Sequence, residues 1–188
     1  MASSAFALLA FLAFPLAAEA AEVAGVQVPD KAQVEARELV LNGAGLRKRL
    51  FFNVYVIGLY LPEKKQDAAA VLGLAGPKRV ALHMLRDVGA DTFSEALVEG
   101  LKSNHSEADY RGLEPRVRQL EAIMAQVQEA KKGMTIALDW TAGATRVSVD
   151  GQPTGQPIAG EDFYRALLRI WLGEHPVQDD IKQRLLGG

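Results

Sequence analysis

The sequence predicts an α+β fold in which helices cover one side of an antiparallel sheet. A β-rich apolar run occupies residues 50–61, too rich in Val, Tyr, Ile and Phe to suit a helix. Period-two alternation returns between residues 134 and 158, where Asp150-Gly151 is a strong hairpin turn signal. Amphipathic helical patterns lie between and after these strands. The order of strands, helices, strands and helices indicates this fold class.

The first twenty residues predict a signal peptide. An apolar run at residues 5–16 is followed by Ala18 and Ala20, the small residues expected before a cleavage site. The run is shorter than the roughly 20 residues that span a bilayer, so we expect no stable membrane span after cleavage. The expected location is periplasmic or secreted. An uncleaved anchor is the alternative, because no Lys or Arg precedes the run.

The remaining residues 21–188 suit a single domain. Cysteine is absent, which excludes disulfides and thiol chemistry, and the net charge of −2 argues against nucleic-acid binding. The three histidines do not lie at metal-ligand spacing, and Gly43-Ala44-Gly45 lacks the third glycine and following helix of a nucleotide loop. We therefore expect no metal and no cofactor. Oligomeric state has no signature in the sequence.

The first half is predicted to begin with a polar arm over residues 21–31 and two strands over residues 34–41 and 50–61. A short helix over residues 66–74 and a third strand over residues 78–85 follow. Between the first two strands, Asn42-Gly43 and Gly45 predict a turn or bulge with positive φ. A basic triplet, Arg47-Lys48-Arg49, leads into the long strand.

The second half is predicted to begin with two helices, over residues 92–103 and 113–132. Three short strands follow, over residues 134–140, 145–149 and 152–158. Two final helices are predicted over residues 161–172 and 177–186. Asp91 is the predicted N-cap of the first helix. Gly133 is expected to end the second, because glycine commonly follows the last turn of a helix.

Polar residues in and before the long strand mark the candidate site. Arg47 stands at its start, and Asn53 and Tyr55 interrupt its apolar run. Buried polar groups need partners, so such residues point to a site. The alternative is a solvated basic turn followed by an ordinary core strand.

Three stretches resemble the chalcone isomerase superfamily. These are Asn42-Gly43-Ala44-Gly45-Leu46-Arg47, Val54-Tyr55-Val56-Ile57-Gly58-Leu59-Tyr60-Leu61 and Leu172-Gly173-Glu174-His175. The chain is similar to the bacterial chalcone isomerase-like proteins, near the fatty-acid-binding members rather than the plant enzymes. The resemblance implies an open-faced β-sandwich, a large antiparallel sheet with helices packed over it and a ligand cleft between.

The resemblance also implies site residues. Arg47 matches the catalytic arginine of the isomerases, but their catalytic threonine falls on Tyr55, and three further polar positions fall on Phe93, Gly100 and Ile170. The catalytic polar set is thus largely replaced. Arg47 and Tyr55 match the arginine and tyrosine that hold a carboxylate in the fatty-acid-binding relatives. We therefore expect a non-catalytic protein that binds a fatty acid or similar carboxylated amphiphile, with these five residues at the cleft.

One geometric condition limits this hypothesis. On an unbroken strand, the eight-residue step from Arg47 to Tyr55 would separate them by roughly 26 Å. They can share one carboxylate only if the chain reverses between them, near Lys48-Arg49. Three alternatives stay open: a lyase or isomerase with another substrate, an envelope interaction module, and an Arg47 paired with a carboxylate of the protein itself.

Overall fold

A computed structural model describes residues 20–188 of the chain. The predicted signal peptide, residues 1–20, lies outside the described residues apart from Ala20. The strands are β1 (Ala20–Val23), β2 (Val26–Pro29), β3 (Lys31–Val34), β4 (Arg37–Arg49), β5 (Phe52–Leu61), β6 (Lys78–Met84), β7 (Val88–Gly89), β8 (Glu129–Ala130), β9 (Thr135–Thr141), β10 (Ala144–Val149) and β11 (Gln152–Ala159). The helices are α1 (Ala68–Gly73), α2 (Ala90–Ser103), α3 (Glu107–Val127), α4 (Glu161–Leu172) and α5 (Asp179–Leu185).

Seven strands form one antiparallel sheet in the order β11-β10-β9-β6-β5-β4-β3. One face of the sheet packs against the helices, with Ile57, Leu82 and Ile136 buried beside Phe163 and Trp171 of α4. Alternate residues of the same strands point to the opposite face, as the strand period of two requires. The predicted α+β class, an antiparallel sheet covered by helices, is confirmed.

The opposite face carries a smaller apolar cluster. Val28 of β2 is fully buried there against residues of the sheet that include Leu39 and Val56. The prediction of a polar arm over residues 21–31 is wrong, because this segment forms the β1–β2 hairpin and the start of β3. β1 and β2 are only four residues long and mix Val with Glu and Gln, so their sequences show no clear alternation of apolar and polar residues.

The glycines before Arg47 serve a different purpose from the one predicted. β4 runs through Gly43 and Gly45 without a turn, with one bulge between Leu41 and Gly43, and neither glycine has a positive φ. A Cβ on Gly43 would collide with the backbone of Arg184 and Leu185 in α5. The missing side chain lets α5 lie directly on the strand.

The long helix differs from its predicted bounds at both ends. α3 begins at Glu107, because the Ser106 hydroxyl accepts a hydrogen bond from the Asp109 backbone N–H at 3.1 Å, as an N-cap does. It ends at Val127 rather than at Gly133, because Gln128 takes a left-handed φ of 63° and the chain then enters β8, which pairs with β7. Tertiary pairing overrides the local helical pattern here.

The last strands follow the prediction more closely. The β10–β11 hairpin turns at Asp150 and Gly151, both with positive φ, as the turn type favoured by this sequence requires. β11 is an edge strand containing Pro153 and Pro157, residues tolerated at an edge because they donate no ladder hydrogen bond. Among residues 20–188 no helix is long and apolar enough to cross a membrane.

Candidate functional site

A cavity of about 740 Å³ lies between the β4–β5 end of the sheet and helices α2 and α4. This volume falls within the range of roughly 300–1,000 Å³ that small-molecule sites occupy. Its inner wall is apolar, with Leu82 of β6, Phe93 and Leu97 of α2, and Ile170 and Trp171 of α4. The lining also includes five charged residues: Arg47, Arg49, Arg86, Asp87 and Glu99. The cavity thus combines an apolar inner wall with charged groups.

Arg47 and Tyr55 meet at one end of this cavity. β4 and β5 form a hairpin whose loop is Leu50 and Phe51, and Arg47 lies directly opposite Tyr55 in the ladder. The strand predicted over residues 50–61 therefore begins two residues later, at Phe52. Directly opposed residues place their Cβ atoms about 5 Å apart. The reversal on which a shared site depends is present, and both side chains line the cavity.

The Arg47 guanidinium is held by backbone carbonyl groups. Its Nη1 donates to the carbonyl oxygens of Lys48 at 2.9 Å and of Val177 at 3.1 Å. Among residues 20–188 no carboxylate lies within 4.0 Å of Arg47, and neither Nε nor Nη2 has a hydrogen-bond partner. The edge of the guanidinium formed by Nε and Nη2 is the edge that binds a carboxylate with two parallel hydrogen bonds. The structural ion pair considered for Arg47 is therefore absent from the described chain.

Tyr55 is oriented by Trp171 of α4. The indole Nε1 donates to the Tyr55 hydroxyl oxygen at 3.0 Å, the one hydrogen bond of that hydroxyl within residues 20–188. Burial raises the pKa of Tyr55 above its usual value, although the Trp171 hydrogen bond and the Arg47 charge act in the opposite direction. The phenol thus stays protonated at neutral pH. Since its oxygen accepts from Trp171, its hydrogen is available for donation to an anion.

Tyr55→Phe is expected to lower the free energy of unfolding by about 1–3 kcal/mol, because it leaves the buried Trp171 N–H without an acceptor. Tyr110→Phe is the matched control, since no hydrogen bond of the Tyr110 hydroxyl occurs within the described chain, and it should change stability little. Urea denaturation measures both. The double variant Tyr55→Phe/Trp171→Phe should lose less stability than the sum of the losses in Tyr55→Phe and Trp171→Phe, because the two residues interact directly. An equal loss of stability in Tyr55→Phe and Tyr110→Phe would contradict the assigned hydrogen bond.

The other three predicted site residues form the wall between α2 and α4. Phe93 and Ile170 are 7% and 2% exposed, and both line the cavity. A Cβ on Gly100 would lie 2.8 Å from Cγ2 of Ile170, so glycine at this position lets the two helices approach closely. The structure therefore brings all five predicted residues to one cavity, where Gly100 acts through helix packing.

Sequence reasoning missed the residues that hold the predicted pair in place. Trp171 fixes the Tyr55 hydroxyl, and the segment after α4 supplies the Val177 carbonyl for Arg47. Gln178 then bridges backbone groups of β4, accepting from the Lys48 N–H at 3.0 Å and donating to the Leu46 carbonyl at 3.1 Å. The apolar stripe of α4 predicted its buried face but not which strand residue that face meets.

The arrangement suits recognition of an amphiphilic anion better than proton transfer. A cationic guanidinium and a neutral phenol donor lie together in a cavity whose inner wall is apolar. A general base at Tyr55 would need a lowered pKa, whereas burial raises the pKa of this group.

Comparisons with known proteins agree with this architecture. The profile of the chalcone isomerase-like family matches residues 20–187. Among solved structures, the chain is similar to a fatty-acid binding protein of Arabidopsis thaliana, with a TM-score of 0.69 and 17% sequence identity over 89% of this chain and 96% of that chain. No curated protein sequence matches the chain. With a family match across nearly all of the described residues, the chain belongs to the chalcone isomerase-like family.

Proposed function

We propose that this protein is a non-catalytic, exported binder of a fatty acid or similar carboxylated amphiphile. The carboxylate would lie between Arg47 and Tyr55, and the acyl chain would extend along the wall formed by Phe93 and Ile170. The predicted signal peptide supports the export part of the proposal.

The observation that carries the proposal is the unpaired edge of Arg47. Its Nε and Nη2 have no partner within residues 20–188, although the side chain lines a largely apolar cavity. A partly buried guanidinium without a counter-charge favours an anionic ligand, because a carboxylate would supply both charge and two acceptors. The hydroxyl hydrogen of Tyr55 supplies a third donor on the adjacent strand.

The apolar wall favours a ligand with a long hydrocarbon tail rather than a small polar anion. Each methylene buried contributes about 0.8 kcal/mol, which corresponds to roughly a fourfold gain in affinity. The Arabidopsis neighbour is itself described as a fatty-acid binding protein, which agrees with a ligand of this class on a related fold.

Titration calorimetry with saturated acids from octanoate to stearate tests the proposal. Affinity should rise about fourfold for each added methylene until the cavity is filled. A fatty alcohol of the same length should bind about 10–100-fold more weakly, because it cannot form the charge-assisted hydrogen bonds. Absence of saturable binding, or equal affinity for acid and alcohol, would refute the proposed function.

A further inference from the structure

The large apolar side chains exposed within residues 20–188 are consecutive in the sequence. Leu50, Phe51 and Phe52 are 85%, 98% and 54% exposed, and they form the tip of the β4–β5 hairpin. We call residues 50–52 the hairpin tip. Leu50 and Phe52 also line the cavity, whereas Phe51 lies almost wholly in solvent. Contiguous exposed apolar surface on a folded domain commonly marks an interaction site.

The same chain builds its other tight hairpin turns without large apolar residues. Three of its two-residue loops are Ala24-Gly25, Ala142-Gly143 and Asp150-Gly151, each with positive φ at both positions. The β4–β5 loop instead holds Leu50, with φ of 54°, and Phe51. Positive φ is unfavourable for a bulky side chain, and glycine or asparagine would relieve it. Turn formation therefore does not explain these residues.

Three cationic residues lie beside the hairpin tip. Lys48 and Arg49 precede it in the sequence and are exposed, and the Cζ of Arg86 lies 4.4 Å from the centre of the Phe52 ring. Asp87, at the cavity opening, accepts a hydrogen bond from the backbone N–H of Lys132 at 2.7 Å. Protruding apolar side chains flanked by Lys and Arg are typical of segments that bind the surface of an anionic bilayer.

The shape of the tip favours a lipid surface over a protein partner. Phe51 protrudes almost completely, and a fluid bilayer can surround such a side chain without a complementary pocket. Arg49 and Phe52 close the ladder beside the loop, and the backbone groups of the loop itself can keep polar partners in the hydrated headgroup region.

We propose that the hairpin tip inserts into the headgroup region of an anionic bilayer and places the cavity opening against the membrane. A fatty acid then moves between the bilayer and the cavity without exposing its acyl chain to water. The ligand-transfer part rests on the proposed function, but docking of the tip does not. The two can therefore fail separately.

Co-sedimentation with vesicles tests docking. The full chain is mixed with vesicles of phosphatidylcholine alone or with an equal part of phosphatidylglycerol. Wild-type protein should sediment with the anionic vesicles, and Phe51→Ser should weaken this partitioning about tenfold. Removing Lys48 and Arg49 charges with Gln should weaken it about fivefold for each charge. Arg111→Gln/Arg118→Gln removes two exposed charges from α3 and should have little effect.

Phe51→Ser and Arg47→Gln separate docking from fatty-acid binding. Phe51→Ser should bind fatty acid normally in vesicle-free solution, whereas Arg47→Gln should lose that binding yet keep most of its affinity for vesicles. Phe51→Trp should retain vesicle binding, and its added emission should shift to shorter wavelength on anionic vesicles. Wild-type partitioning by Phe51→Ser would overturn the inference. The inference would also be overturned if Phe51→Ser changed only self-association, measured by sedimentation velocity. The tip would then be a contact between copies of the chain.

Discussion

Arg47→Gln is expected to weaken fatty-acid binding by about 10–100-fold. The variant keeps a polar side chain of similar reach but removes the positive charge and the two-donor edge, and hydrogen bonds to charged groups contribute about 1.5–3 kcal/mol each. Titration calorimetry of one long-chain acid against wild type and variant measures the change. Folding should be little affected, because the two bonds of Arg47 within the described chain go to backbone carbonyls in partly exposed positions.

Two comparisons make the Arg47 result specific. Arg49→Gln removes another cationic side chain that lines the same cavity, and affinity should fall far less because Arg49 is exposed at the opening. Affinity of Arg47→Gln for a fatty alcohol should equal that of wild type, since the alcohol carries no charge for Arg47 to bind. If acid and alcohol lose affinity equally, Arg47 maintains the shape of the cavity and does not bind the head group.

The sequence contained the information that places Arg47 beside Tyr55, though not through secondary-structure pattern alone. Periodicity suggested one long strand, and the resemblance required both residues at one site. Arg47 and Tyr55 can lie at one site only if the chain reverses near Lys48-Arg49. The chain does reverse immediately after this pair, at Leu50 and Phe51. The turn itself was hidden, because Leu and Phe are not turn-forming residues.

Other features of the site depend on contacts between elements distant in the chain. Trp171 reaches Tyr55 across 116 residues, and Val177 reaches Arg47 across 130 residues. The apolar stripe of a helix fixes which residues are buried but not what they contact. The family resemblance predicts Phe93, Gly100 and Ile170 at the cavity, whereas the close approach of α2 and α4 at Gly100 depends on the three-dimensional packing of the helices.

The pKa of Tyr55 links the family resemblance to the proposed role. Burial raises this pKa and keeps the hydroxyl protonated, and the Trp171 indole occupies an acceptor site on its oxygen. Both effects favour a fixed hydrogen-bond donor. Apolar Phe93 and Ile170 then supply the wall that a hydrocarbon tail requires, so these two side chains favour an amphiphilic ligand.

Gly43→Ala is expected to lower the free energy of unfolding by about 3 kcal/mol. The added methyl group would collide with backbone atoms of Arg184 and Leu185, which cannot rotate away as a side chain would. α5 must therefore shift from the sheet and expose part of the buried surface of Ile181 and Leu185. Gly112→Ala is the control: it lies exposed within α3 with open space at its Cβ, and should stabilise the helix by about 0.5–1 kcal/mol.

The same variant should also weaken fatty-acid binding, because α5 and the segment before it hold Arg47 in position. Asn42 anchors the end of α5 through the Leu185 carbonyl at 2.6 Å, Gln178 bridges Leu46 and Lys48, and Val177 accepts from Arg47. Displacing α5 would move Val177 and Gln178 relative to β4 and so weaken their hydrogen bonds to Arg47, Leu46 and Lys48. Calorimetry at a temperature where Gly43→Ala remains folded separates this effect from unfolding. Unchanged affinity in a destabilised but folded variant would show that α5 supports the sheet without positioning Arg47.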